Sequence, residues 1–113
     1  AIIYPEPVRE ALHDGRLEKF VTGRFTMLTQ FDRKQNEFME IHIELRPKAK
    51  LTKTARELCR DLIIENLLLK NAEYRNNYHS FPHRVIPKLI FWHHEHPLHF
   101  KPGIKQKWVK KSL

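Results

Sequence analysis

With 113 residues, 41% of them hydrophobic, the chain holds enough apolar material for one domain with a modest core. That size leaves little room for a deep ligand cavity, which argues against a self-contained small-molecule enzyme and for an accessory or interaction domain. The formal charge of +8 is uneven: from His83 onward Arg84, Lys88, Lys101, Lys105, Lys107, Lys110 and Lys111 face only Glu95, a field that attracts polyanions without choosing among them.

In chain order, "YPEPVREALHDG" spaces Val8, Ala11 and Leu12 at three and four residues, which predicts a short helix from about Glu6 to His13, ended near Gly15. "VTGRFTMLTQF" then alternates, with Val21, Phe25, Met27 and Phe31 on one face and Arg24, Thr26 and Gln30 on the other, as in a strand buried on one side. Gly23 within it reads first as a packing need, and otherwise as a bulge or a close backbone approach. "DRKQNE" is a polar turn. "FMEIHIELR" alternates again, with Met39, Ile41, Ile43 and Leu45 inward and Glu40, His42 and Glu44 outward, so the two segments predict an antiparallel hairpin.

Next, Thr52 or Thr54 can cap a long helix in which Ala55, Leu58, Cys59, Leu62, Ile63 and Leu69 recur at helical spacing and face the sheet. Tyr74 and Tyr78 can continue the helical pattern before Pro82 stops it. "RVIPKLIFWHH" predicts a strand, and "IKQKWVKK" a last short strand or extended arm. The order helix, strand, strand, helix, strand, tail defines an α+β two-layer sandwich, a ferredoxin-like small domain with an antiparallel sheet and one long helix.

The single cysteine, Cys59, excludes an internal disulfide and reads as a small apolar helix residue. No run approaches the ~20 apolar residues of a membrane span, and "AIIYPEP" lacks the features of a secretory signal, so a cytoplasmic setting is expected. "HHEHPLH" gathers His93, His94, His96, His99 and Glu95, but neighbours in a strand-turn face opposite ways and no second Cys or His cluster completes a zinc site. It reads as a solvated polar turn, with no metal assigned. A nucleic-acid surface meets the wrong sign of charge at Glu40 and Glu44. With three glycines in all, the chain holds neither G-x-S-x-G nor G-x-x-x-x-G-K. What remains is "KPGIKQKWV", where Gly103 permits an outward turn and Lys105 beyond it can offer a flexible ammonium to a phosphate, with Trp108 and Val109 behind it.

In this order and over nearly the whole chain, "IIYPEPVREAL", "VTGRFTM", "IHIEL", "LLLKNAEYR" and "PGIKQKWV" resemble the C-terminal domain of phenylacetate-coenzyme A ligase and its coenzyme F synthetase-like relatives, in the adenylate-forming, AMP-binding superfamily. The resemblance implies that residues 1–113 are a single mobile lid domain. It would close over an N-terminal adenylation domain of the same polypeptide that binds ATP, with Mg2+, and an aromatic or other carboxylic acid. It implies two steps: carboxylate and ATP give an acyl-adenylate and pyrophosphate, and the thiol of coenzyme A then displaces AMP, the lid rotating in between.

Under that resemblance "IIYPEPVREAL" follows the interdomain hinge, which would precede Ala1. The family's lysine usually follows a glycine directly, whereas here Ile104 intervenes. Lys105 is therefore the best match, Lys107 the alternative, and Gly103 with Lys105 the stretch that would approach the nucleotide. The large domain's phosphate loop and aromatic-Gly-x-Thr-Glu motif are missing from this chain, which alone is expected to be inactive and to hold no cofactor. No membrane partner is expected and a homodimer is left open. The alternative reading is a basic ferredoxin-like nucleic-acid-binding module.

Overall fold

The computed structural model describes residues 4–80 and 85–103 and the backbone of 109–110. Helix α1 (Pro5–Leu12) begins on prolines, whose missing N–H groups cost nothing in a first turn, and buries Pro7, Val8, Ala11 and Leu12. A 3-10 turn at Gly15–Leu17 follows, capped by the Asp14 side chain, and sets Leu17 into the core.

Strands β1 (Val21–Phe31) and β2 (Glu37–Leu45) form the expected antiparallel hairpin. Asp32 closes its tip by accepting hydrogen bonds from the backbone N–H groups of Lys34 and Asn36. The register slips between Val21↔Leu45 and Phe25↔Ile43, leaving two extra residues on β1. Because the insertion is even, Val21 and Phe25 stay on one face. Gly23 makes it feasible: its φ is +96°, and a Cβ there would lie 3.0 Å from His13 Cε1. Gly23 is thus both a bulge residue and a close approach rather than a simple packing need.

Helix α2 (Lys53–Lys70) is capped by Thr52, whose hydroxyl accepts from the Ala55 N–H at 3.0 Å. The helical pattern then breaks at Asn71 and restarts as α3 (Ala72–Ser80), with Asn71 Oδ1 capping the Tyr74 N–H. Arg75 donates to the carbonyls of Leu68 and Leu69, which α2 leaves without intrahelical partners. This turn buries Tyr74, whose hydroxyl donates to the Val85 carbonyl at 3.1 Å.

After Pro87, β3 (Lys88–Trp92) runs parallel to β2, and the two-residue β4 (Val109–Lys110) runs parallel to β1 at Met27 and Leu28. Among the described residues the sheet order is β3-β2-β1-β4. The architecture is α+β, with helices on one face of a four-stranded sheet in ferredoxin-like outline. The sheet is mixed, however, and only the central hairpin is antiparallel. A strand that returns through a helical crossover lies parallel to its neighbour, and α2 with α3 is such a crossover.

Val8, Leu17, Phe25, Met27, Ile41, Ile43, Ile63, Leu67 and Tyr74 form the core between sheet and helices. Two expected core residues fall outside it. Phe31 has the right alternation but sits at the hairpin tip, 53% exposed, and Leu69 is 66% exposed while Leu67 takes the buried position. Leu69 instead lines an open groove of about 470 Å³ with Ile64, Leu68, Tyr78 and Ile86. No described helix is long and apolar enough to cross a membrane.

Candidate functional site

The topology decides the other face of the sheet. Strands β3 and β4 lie at opposite edges of the sheet, and the face the helices leave open gives their connection a way across. Residues 93–103 take it as a strap. Near its start the Glu95 N–H donates to Glu44 on β2, and near its end the Lys101 carbonyl accepts from Arg24 on β1. Glu95 adopts a left-handed φ of 55°, uncommon for a non-glycine residue.

Under the strap lie the side chains that alternation had turned to solvent. Glu44 is 0% exposed, His42 6% and Glu40 9%, which corrects the expectation of a solvated outward face. Glu44 accepts from the Thr22 hydroxyl at 2.7 Å, the Glu95 N–H at 2.8 Å and Arg24 Nη1 at 3.4 Å. These donors satisfy a carboxylate that would otherwise be costly to bury. His94 Nδ1 lies 3.9 Å from the same carboxylate and has no hydrogen-bond partner among the described residues.

A second group forms a relay. Trp92 Nε1–H donates to His42 Nδ1 at 2.8 Å, so His42 carries its proton on Nε2, 3.1 Å from Glu40 Oε1. Gln30 donates to that same Glu40 oxygen. His99 stacks on Trp92 at 4.1 Å between centroids and on His42 at 5.1 Å, while His96 lies 4.5 Å from Trp92. Both nitrogens of His42 are engaged, which leaves it no lone pair for proton transfer to a substrate. "HHEHPLH" is therefore packed against the sheet, with His94, His96 and His99 half-buried, rather than a solvated turn. Among the described residues no group of three His, Cys, Asp or Glu is arranged to hold a metal ion.

Past Phe100, which is fully buried beneath Arg24, the strap reaches Gly103. Here φ is +73°, Gly103 is exposed, and a Cβ would meet nothing within 4 Å among the described residues. Lys105 and Lys107, with Trp108, lie outside the described residues. The two ends flanking them are placed, Gly103 in the exposed turn and Val109 paired with Met27. Cys59 offers no reactive thiol, since burial pushes it up to about 12.

Alternation shows which side a residue faces but not what will cover it, and so Glu44 and Arg24 were missed as an anchoring pair. A signal was available: Trp92 and Phe100 bracket the His-rich stretch, and two large aromatics flanking a polar run indicate a segment packed on something. No protein-family model matches the chain, and no curated protein matches it.

Proposed function

We propose that this chain is the C-terminal mobile domain of an acyl-adenylate-forming ligase of the phenylacetate-coenzyme A ligase type, working on a neighbouring adenylation domain. The observation that carries the reading is the exposed left-handed turn at Gly103, set at the end of a fastened strap and directly ahead of Lys105 and Lys107. An exposed glycine turn with no side chain of its own can bring backbone close to a phosphate, which suits Gly103 and Lys105 to the nucleotide. ATP, with Mg2+, supplies the adenylyl group, and coenzyme A accepts the acyl group.

In this reading the lysine ammonium neutralises charge that builds on the α-phosphate and the departing pyrophosphate as the carboxylate attacks. A fixed charge in a closed site needs no reorganisation at that moment, whereas a mobile one does. The nucleic-acid alternative has less support: base stacking on a sheet needs an open face with free aromatics, and here the strap covers that face and Trp92 is stacked on His99.

The test is ATP–pyrophosphate exchange, over a panel of carboxylic acids, by the polypeptide that carries this domain. Lys105→Ala should slow adenylation by about 10²–10³-fold, the scale of one lost preorganised electrostatic contact. Thioester formation from supplied acyl-adenylate should change far less. A larger loss at Lys107→Ala transfers the role to that residue. Equal small losses at both, or equal damage to both half-reactions, would overturn the reading.

A further inference from the structure

Arg24 does more than neutralise Glu44. Its guanidinium is 3.4 Å from Glu44 Oε2 through Nη1, donates to the Lys101 carbonyl at 3.2 Å through Nη2, and sits 5.6 Å from the centre of the Phe100 ring. Arg24 and Lys101 are 77 residues apart in sequence. Glu44 in turn holds the Glu95 N–H, so two points on the strap are tied to one ion pair on the sheet. Both points lie on the path from Trp92 to Gly103.

A buried ion pair is a weak stabiliser compared with apolar packing, but it is geometrically exacting. Arginine presents a rigid planar fork that can meet two acceptors together, and a lysine ammonium on a flexible stem cannot reproduce that arrangement. We infer that Arg24 and Glu44 are positioning residues that fasten the strap to the sheet and so fix where the Gly103 turn stands. For catalysis this rests on the function proposed above, in which a lysine following the turn in sequence acts on the nucleotide. Neither side chain contacts substrate in this account.

Hydrogen exchange on the whole chain tests the fastening without any activity. The Glu95, His99 and Phe100 amides are hydrogen-bonded within or beneath the strap. Arg24→Lys should speed exchange of the peptide containing them by about tenfold or more while leaving the β1–β2 ladder unchanged, as expected for local opening. No change, or equal acceleration everywhere, would overturn the inference. Arg24→Lys is preferred to Glu44→Ala because it keeps a positive charge beside the buried carboxylate and so should fold.

In the full polypeptide, Arg24→Lys should lower the kcat of adenylation by about tenfold with KM for ATP unchanged, as for an interaction realised only in the transition state. Added to whichever lysine variant slows adenylation more, it should cause no further loss, since it acts only through that lysine. Additive losses would overturn the positioning role. If neither lysine variant affects adenylation, the proposed function fails, and the exchange result still decides whether Arg24 fastens the strap.

Discussion

The two faces of the sheet are buried to similar depth by unlike means. On β2, Ile41 and Ile43 are fully buried beneath the helices, and Glu44, between Ile43 and Leu45 in sequence, is fully buried beneath the strap. The inner face is held by apolar contact, which is roughly proportional to area and tolerant of direction. The outer face is held by hydrogen bonds from Thr22, Arg24, Trp92 and the Glu95 backbone, which stabilise little when made and cost heavily when left unmade. One face therefore makes the domain fold, and the other makes a particular segment lie in a particular place.

The sharpest contrast comes from truncating each face at its centre. Phe25→Ala should destabilise the domain by about 3–5 kcal/mol in urea unfolding, the usual range for emptying a well-packed aromatic site. Glu44→Gln keeps the shape but removes the charge paired with Arg24 and, with its oxygen left to Arg24 and the Glu95 N–H, forces the Thr22 hydroxyl to turn and accept from the amide, and should cost about 1–3 kcal/mol. Equal losses would mean that the polar face is a second core rather than a fastening, and the comparison would break. A negligible loss at Glu44 would mean that the strap is not held there.

The same contrast explains what the sequence revealed. Val21, Phe25, Met27, Ile41 and Ile43 were legible because a two-residue apolar alternation has only one physical explanation, a face turned from water. Thr52 was legible as one of two caps, since a hydroxyl just before a helical repeat satisfies a backbone donor. The burial of Glu40, His42 and Glu44 was not legible, because it depends on β3 and β4 adding at opposite edges of the hairpin, which no local pattern encodes. Parallel pairing escaped for the same reason. Leu69 was misassigned by helical spacing alone, because the break at Asn71 turns the chain before another element can cover it. Of the candidate site, Gly103 shows the expected outward turn, and Lys105 and Lys107 fall outside the described residues.

Alkaline pH should weaken the inner face selectively. Burial, and secondarily Tyr78, pushes the Tyr74 hydroxyl up to about 12, and burial pushes the Cys59 thiol to about 12 as well. An unfolded chain would ionise these groups near 10.0 and 9.0, so between those values and about 12 the unfolded state binds fewer protons than the folded one. Their contribution is fully present below pH 9 and is lost as pH rises towards 12. The urea midpoint should fall steadily across that window. Tyr74→Phe should cost about 1 kcal/mol at neutral pH for the lost bond to Val85, and should also flatten the decline above pH 10. An unaltered alkaline slope in that variant would remove Tyr74 from the explanation.

The last contrast, which ends on the smallest effect, sets two glycines at positive φ against each other, one belonging to each side of the comparison. At Gly23, with φ of +96°, a Cβ would stand 3.0 Å from His13 Cε1, and His13 Nδ1 is itself 2.7 Å from the Arg9 carbonyl. An alanine there must strain the backbone and also push a ring that is already held, so Gly23→Ala should cost about 1–3 kcal/mol. Gly103, at +73°, has nothing among the described residues within 4 Å of where a Cβ would stand, which leaves the left-handed penalty, and Gly103→Ala should cost about 1 kcal/mol. Asparagine adopts the left-handed region more readily than alanine, so Gly103→Asn should be nearly neutral in urea unfolding whereas Gly23→Asn should not. If Gly103→Asn were as damaging as Gly23→Ala, the turn would have to be pressed against another part of the chain, and the open approach to a phosphate on which Gly103 is argued would be lost.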